Sequence, residues 1–212
     1  FRVKTILQGG PVQWGWIRAA ILLDFIAQTE VGRTDRASYD VIYGHNQGKV
    51  DKPITSMTLS ELVDLQASFT RKFGSSAAGR YQFMRATLQD LARELGLKGT
   101  QRFDPNLQDR LGYHLLKRRG YLDFMAGRIS RTEFGGRLAR EWASLPVLTT
   151  TKGATRTVGR GQSFYAGGWA QQGARRAREG RGRPRPGEGG GERSRSGGTG
   201  VSAPYLVAWH TA

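Results

Sequence analysis

The sequence predicts an α+β domain that is mainly helical and has one small β region. Two predicted helix starts carry capping boxes, TLSE at 58–61 and SRTE at 130–133. A third start, Asp104–Pro105, places an N-cap residue before a proline at the first helical position. Between residues 39 and 55, Tyr39, Val41 and Tyr43 instead alternate with Asp40 and Ile42, which is typical of a strand. Several helices with a single β region define this class.

The first helix is predicted from residue 16 to Glu30, where apolar residues recur at helical spacing. Gly32 follows closely and is a stop signal. Glu30 is therefore expected at the C-terminal end of an apolar helix. Residues 1–15 show no periodicity and contain a Gly-Gly-Pro breaker, so we expect a poorly ordered leader there.

Residues 39–55 are predicted to form a short hairpin that turns at Asn46–Gly48. The remaining helices follow from start and stop signals along the chain. They are predicted from Thr58 towards Phe73, from about Arg85 to Leu95, from Asp104 to Arg119, and from Ser130 to a point before Leu145–Pro146.

The composition changes sharply near residue 167. Residues 171–200 contain ten Gly and eight Arg and no aliphatic residue larger than alanine, so they cannot bury a core. We therefore predict a folded domain over residues 16–166 and a disordered Arg/Gly-rich tail over residues 167–212. Because G+C-rich DNA read in a shifted frame gives such a composition, our hypothesis is that the tail is frameshifted or artefactual.

Charge and residue content narrow the functional classes. The net charge of +16 predicts anionic partners, which include nucleic acid and the bacterial envelope. The chain has no cysteine, and its three histidines lie far apart, so we expect no zinc centre, no other metal and no cofactor. P-loop and G-x-S-x-G motifs are missing as well. Carboxylate chemistry is the main remaining option.

Glu30 is the best candidate for that chemistry. Glycosidic bonds are broken by a carboxylic acid that protonates the leaving oxygen, and this acid must stay protonated near neutral pH. An apolar setting and a helix C-terminus both disfavour the charged form. Glu30 is predicted to have both. On this pattern alone, a solvated glutamate at a helix end remains the alternative.

Four sequence blocks extend this hypothesis. They are LDFIAQTE at 23–30, YDVIYG at 39–44, AGRYQ at 78–82 and WASLP at 142–146. In this order they resemble the lambda-type phage endolysins, which are lysozyme-fold lytic transglycosylases, over about residues 18–166. The resemblance implies a lysozyme-like α+β fold with a cleft between a helical lobe and a small β lobe. The loop 31–38 does not follow the family's pattern.

The resemblance also implies which residues form the site. Glu30 matches the catalytic glutamate of the family. The substrate-binding residues it implies are Tyr39, Asp40, Tyr81, Gln82, Trp142 and Ser144. For Trp142 and Ser144, cleft wall and core remain open. For Asp40, an ordinary strand or turn residue is the leading alternative.

The implied reaction is cleavage of the β-1,4 bond between N-acetylmuramic acid and N-acetylglucosamine, with a 1,6-anhydro product. A hydrolytic lysozyme would instead need a second carboxylate, for which Asp35 and Asp40 are the nearest candidates. Asp24 lies on the same helix as Glu30 and is expected to face elsewhere. The alternatives from a different class are a basic nucleic-acid-binding protein and an envelope-binding protein without catalysis.

The expected partners are peptidoglycan glycan strands and, through the basic surface, the anionic cell envelope. We expect a monomer with no specific nucleic-acid partner. The N-terminal residues lack the apolar run of a secretory signal. We therefore expect synthesis in the host cytoplasm and action on the wall, in the periplasm, after the membrane has been permeabilised. The origin in a phage or a prophage stays open.

Overall fold

The computed structural model describes the backbone of residues 11–166 and the side chains of residues 17–166. Most of the predicted leader, residues 1–10, and the predicted tail, residues 167–212, lie outside the described residues.

Residues 11–166 form a mainly helical structure with one small sheet, as the predicted α+β class requires. The six α helices of this segment are α1 (Pro11–Val31), α2 (Leu59–Phe73), α3 (Arg85–Glu94), α4 (Pro105–Arg118), α5 (Tyr121–Met125) and α6 (Arg131–Ala139). None of them combines the length and the apolar character that crossing a bilayer would require.

The helix starts predicted from local signals are confirmed. Thr58 and Glu61 form a complete capping box at α2, Asp104 accepts the Leu107 N–H at α4, and Ser130 accepts the Glu133 N–H at α6. Helix α1 begins at Pro11, five residues before its predicted start. The short helix α5 was not predicted.

The predicted hairpin over residues 39–55 is wrong. This segment forms four short 3-10 turns, Arg36–Asp40, Tyr43–His45, Gln47–Lys49 and Ile54–Ser56. The backbone of residues 41–43 bonds instead to residues 77–79, through an Ile42–Ala78 bridge and through the Gly79 N–H, 2.8 Å from the Val41 carbonyl oxygen. The sheet of the described chain lies later, where β1 (Thr151–Lys152) pairs antiparallel with β2 (Thr157–Val158).

Helices α1 and α4 pack closely in the core. A Cβ added at Gly112 of α4 would lie 2.9 Å from the Tyr81 ring and 3.1 Å from Leu23 of α1, so glycine is required there. Beside it, the fully buried Gln108 donates to the Tyr39 carbonyl oxygen and accepts the Arg80 N–H. Gln108 thereby joins α4 to the two loops that carry the YDVIYG and AGRYQ blocks.

Candidate active site

Glu30 is the next-to-last residue of α1. The helix ends because Gly32 adopts a left-handed backbone with φ of 73°. Val31 packs with Ala27 and Val41 in a small buried apolar cluster. The sequence therefore places the carboxyl group of Glu30 at a helix C-terminus beside apolar side chains, as predicted.

The side chain of Glu30 is held by Ser144, 114 residues further along the chain. The Ser144 hydroxyl lies 2.7 Å from Oε1 of Glu30, and the Ser144 backbone N–H donates to the same oxygen at 3.3 Å. Ser144 itself is exposed and Glu30 is half-buried. One oxygen of the carboxyl group is thus held by Ser144, and the residue as a whole is partly exposed.

The loop that carries Ser144 is held on both sides. Trp142 Nε1 donates to the Tyr81 carbonyl oxygen at 3.3 Å, and the Ser163 hydroxyl donates to the Ala143 carbonyl oxygen at 2.8 Å. Pro146 forms a β-bridge with Ser163. Because its neighbours are fixed in this way, Ser144 can orient the acid without a large entropic cost.

Thr29 extends the contact into a chain of hydroxyl groups. Its Oγ1 lies 3.0 Å from the Ser144 hydroxyl and 2.9 Å from the Ile26 carbonyl oxygen. When Glu30 is protonated, the chain can run in one direction, from Glu30 to Ser144 to Thr29 to Ile26. When Glu30 is ionised, the Ser144 hydroxyl can donate to it instead. Sequence reasoning missed Thr29, because a threonine in the last turn of a helix carries no distinguishing signal.

Burial raises the pKa of Glu30 above its usual value. The two hydrogen bonds from Ser144 act in the opposite direction, but they are the smaller causes. Among residues 17–166, no Lys, Arg or His forms an ion pair with Glu30. The local environment therefore favours a neutral acid that can donate a proton.

The other candidate carboxylates have partners of their own. Asp35 is exposed and forms a two-point ion pair with Arg33, and this hydrogen bonding lowers the pKa of Asp35. Asp40 accepts the backbone N–H of Thr55 at 2.9 Å and braces the loop. Each of these two carboxylates therefore has a hydrogen-bond partner other than the Glu30 region.

Tyr39 and Tyr81 meet at Asp109, a residue of α4 that was not singled out from the sequence. The Tyr81 hydroxyl donates to Asp109 at 2.7 Å, and the Tyr39 hydroxyl lies 3.0 Å from both carboxylate oxygens. Burial is the main cause that raises the pKa of Tyr39 to about 12, and it raises that of Tyr81 further. Arg80 lies over both rings. Both tyrosines therefore remain neutral phenols within a polar cluster.

Gln82 contacts Val41, which packs against Val31 at the end of α1. Its Nε2 donates to the carbonyl oxygens of Val41 and Gly79, at 3.2 and 2.9 Å. Its φ of 49° is uncommon for a residue other than glycine, and the two hydrogen bonds hold it there. Since Val41 packs on Val31, Gln82 belongs to the same region as Glu30.

Trp142 and Ser144, the last two predicted site residues, have different surroundings. Trp142 is 3% exposed, so its ring fills the core. Ser144, by contrast, contacts Glu30 directly. The structure therefore brings together Glu30 and Ser144, connects Gln82 to them through Val41, and groups Tyr39 with Tyr81 at Asp109. The substrate-binding roles of the six residues stay predictions.

These features define a mainly helical α+β domain in which one glutamic acid, Glu30, has a raised pKa and contacts Ser144. The comparison with protein families agrees with this class, because the endolysin family model matches residues 20–168. The chain belongs to the endolysin family, whose members are phage enzymes that degrade peptidoglycan. No curated protein and no solved structure is similar enough to match the chain.

Proposed function

We propose that this endolysin is a lambda-type enzyme with a lysozyme-like fold that cleaves the bond between N-acetylmuramic acid and N-acetylglucosamine, with Glu30 as the catalytic acid. The observation that carries the proposal is the setting of Glu30. Burial raises the pKa of its carboxyl group and so favours the protonated form, Ser144 orients the group, and the side chain is partly exposed. A general acid needs this combination, because it must hold a proton near neutral pH and deliver it to a bound substrate.

In the proposed reaction, protonated Glu30 donates its proton to the glycosidic oxygen, and the bond to C1 of N-acetylmuramic acid breaks. The carboxylate then accepts the proton of that sugar's 6-hydroxyl group, whose oxygen bonds to C1. The products are a 1,6-anhydro end and a free 4-hydroxyl group on N-acetylglucosamine. Atoms and charge balance, and Glu30 returns to its protonated form without consuming water.

The engagement of Asp35 and Asp40 favours this route over hydrolysis. A hydrolase of either stereochemical type uses a second carboxylate as nucleophile or base. Asp35 is tied to Arg33, and Asp40 is tied to the Thr55 backbone. Hydrolysis is the second candidate, with Asp40 as the second carboxylate. Asp40 directly precedes Val41, which packs against Val31, the residue after Glu30.

The proposal gives the remaining site residues supporting roles. Gln82, through Val41, borders the region of Glu30, and Tyr39 and Tyr81 contribute the nearby polar cluster. The net charge of +16 attracts the enzyme to the anionic wall and envelope. We also propose that the enzyme acts on the wall as a monomer, after release from the host cytoplasm.

Mass spectrometry of the soluble products tests the proposal and separates the two candidates. Purified peptidoglycan is digested with the wild-type chain, and a Glu30→Gln digest serves as the blank. Transglycosylation predicts anhydro ends, whereas hydrolysis predicts reducing ends that are heavier by one water. Products with cleaved amide bonds and intact glycan strands would contradict both candidates.

A further inference from the structure

A cavity of about 390 Å³ is lined by residues of α1 and α4 and by Tyr39 and Tyr81. We call it the α1–α4 pocket, and its lining residues are Ala20, Leu23, Asp24, Tyr39, Tyr81, Asn106, Asp109 and Arg110. Asp24 contacts Arg80 in this region, whereas Glu30, on the same helix, contacts Ser144. Tyr39 and Tyr81 belong both to this pocket and to the polar cluster described above, whereas Glu30 and Ser144 do not line the pocket.

The two helices line the pocket with the same spacing. On α1, the lining residues Ala20, Leu23 and Asp24 occupy positions i, i+3 and i+4. The α4 residues, Asn106, Asp109 and Arg110, repeat this spacing. Residues at these positions share one helix face, so the lining residues of each helix come from a single face.

The polar groups of the pocket are held in fixed positions. Asp109 accepts the hydroxyl groups of Tyr39 and Tyr81. Asp24 is held by Arg80, whose own side chain is only 3% exposed. Fixed groups of this kind bind a ligand with little loss of conformational entropy.

The pocket brings together charges of both signs. Asp24 and Asp109 are negative, and Arg110 and the Arg80 beneath the rings are positive. The Arg80 side chain already donates hydrogen bonds to Asp24, to Ser38 and to the Thr34 carbonyl oxygen. Arg110 is exposed, and within residues 17–166 it forms no ion pair. A complementary ligand would thus present a cation to the aspartates and an anion to Arg110.

The tyrosines do not favour a sugar ring as the occupant. Tyr81 is 2% exposed, and guanidinium groups of Arg36 and Arg80 lie 5.9 and 4.9 Å from the centre of the Tyr39 ring. These rings therefore offer little free face for stacking. Charge recognition by the aspartates and Arg110 is the stronger feature of the pocket.

We propose that the α1–α4 pocket binds a zwitterionic amino-acid end of the peptide stem that peptidoglycan strands carry. The ammonium group would pair with Asp24 and Asp109, and the carboxylate would pair with Arg110. Asp24 precedes Glu30 by six residues, or about 9 Å along the helix axis, which is within the length of a short peptide. This inference rests on the proposed function, since it names a second part of the same substrate.

Direct binding is the first test. The full chain is titrated calorimetrically with L-alanyl-γ-D-glutamyl-meso-diaminopimelate, whose free end carries an ammonium and a carboxylate on one carbon. Arg110→Gln and Asp24→Asn are each expected to weaken binding about tenfold, because each removes one charged hydrogen bond. Arg102→Gln is the matched control, since Arg102 is an exposed arginine that does not line the pocket. Binding that is undetectable in the wild type, or unchanged in Arg110→Gln, would overturn the proposal.

Activity assays separate this proposal from the role of Glu30. On peptide-bearing strands, Arg110→Gln is expected to raise KM about tenfold at constant kcat. The reason is that the lost contact would bind the substrate and the transition state equally. On strands stripped of peptide, it should match the wild type. Unchanged KM on both substrates would contradict stem recognition while leaving the cleavage proposal intact. Peptide binding that depends on Arg110, in a wild-type chain that cleaves neither substrate, would instead refute the cleavage proposal alone.

A folding control accompanies both tests. Arg110 is exposed, so its variant should unfold at the wild-type midpoint. Asp24→Asn loses the partner of a buried arginine, so its result counts only when its unfolding midpoint is also unchanged. Glu30→Gln should still bind the tripeptide, because Glu30 does not line the pocket.

Discussion

Glu30 and Glu61 lie at opposite kinds of helix end, and their pKa values are displaced in opposite directions. Glu61 is in the first turn of α2, where it accepts the Thr58 N–H at 2.7 Å and pairs with Lys52 at 2.9 Å. The backbone hydrogen bond is the first cause that lowers the pKa of Glu61 to about 2. Glu30 lies in the last turn of α1, and burial raises its pKa.

The difference shows that position and partners decide which glutamate can act as an acid. A helix N-terminus offers unsatisfied N–H donors that stabilise a carboxylate, whereas a C-terminus offers none. Glu61 is further stabilised as an anion by an exposed cation. Glu30 has no cationic partner within residues 17–166, and its burial outweighs the two hydrogen bonds from Ser144, so its protonated form is favoured. Of this pair, only Glu30 has the raised pKa that the proposed general acid requires.

Replacing each glutamate by glutamine gives the largest expected difference. Glu30→Gln should lower the rate of peptidoglycan cleavage by about 10²- to 10⁴-fold, because the amide cannot transfer the proton. Glu61→Gln should retain wild-type activity per folded molecule. Clearing of a peptidoglycan suspension measures both rates. A Glu30→Gln variant that cleared the suspension at the wild-type rate would contradict the assignment of the acid.

Removing the partner of Glu30 should have a smaller effect. Ser144→Ala deletes the hydroxyl contact that orients the carboxyl group, and kcat/KM is expected to fall about tenfold. Because that hydrogen bond lowers the pKa of Glu30, its loss should also move the basic limb of the pH–rate profile to higher pH. Ser144→Thr keeps a hydroxyl group and should restore much of the wild-type profile. A basic limb that stayed in place in Ser144→Ala would contradict the contact.

Stability against pH should separate the two glutamates as well. The raised pKa of Glu30 means that its ionisation destabilises the folded state, so Glu30→Gln should be more stable than the wild type above the pKa of Glu30. This advantage should shrink as the pH falls. Because the pKa of Glu61 is lowered, its ionised side chain stabilises the folded wild type above about pH 4.5. This contribution is lost as the pH falls towards 2.

Denaturant unfolding of the three proteins at several pH values measures these differences. Glu61→Gln should be less stable than the wild type at neutral pH and equal to it near pH 2. The two variants should thus deviate from the wild type in opposite directions at neutral pH. Deviations of the same sign would show that the two environments are not opposed.

The sequence predicted the features that depend on neighbouring residues. Capping boxes and the Asp104–Pro105 start fixed α2, α4 and α6, because these signals act within one helical turn. The position of Glu30 at the end of α1 was predicted for the same reason. Residues 39–55 were predicted wrongly, because residues 41–43 pair with residues 77–79, and alternation alone does not identify the partner.

The contacts that complete the candidate site could not be read from the sequence. Ser144 lies 114 residues from Glu30, so only the fold brings them together. The sequence resemblance pointed to Ser144 but assigned it to substrate rather than to the acid. Asp109, which receives both tyrosine hydroxyl groups, looks like an ordinary helix residue. Long-range polar contacts of this kind leave no local pattern.

The protonation state of Glu30 can be measured directly by following its side-chain carboxyl carbon by NMR through a pH titration, with Glu30→Gln used to assign the signal. We predict a midpoint above the ordinary glutamate value of 4.5, together with a midpoint near 2 for Glu61 in the same spectra. A Glu30 midpoint at or below 4.5 would show that burial does not raise its pKa, and it would contradict the role of Glu30 as the acid.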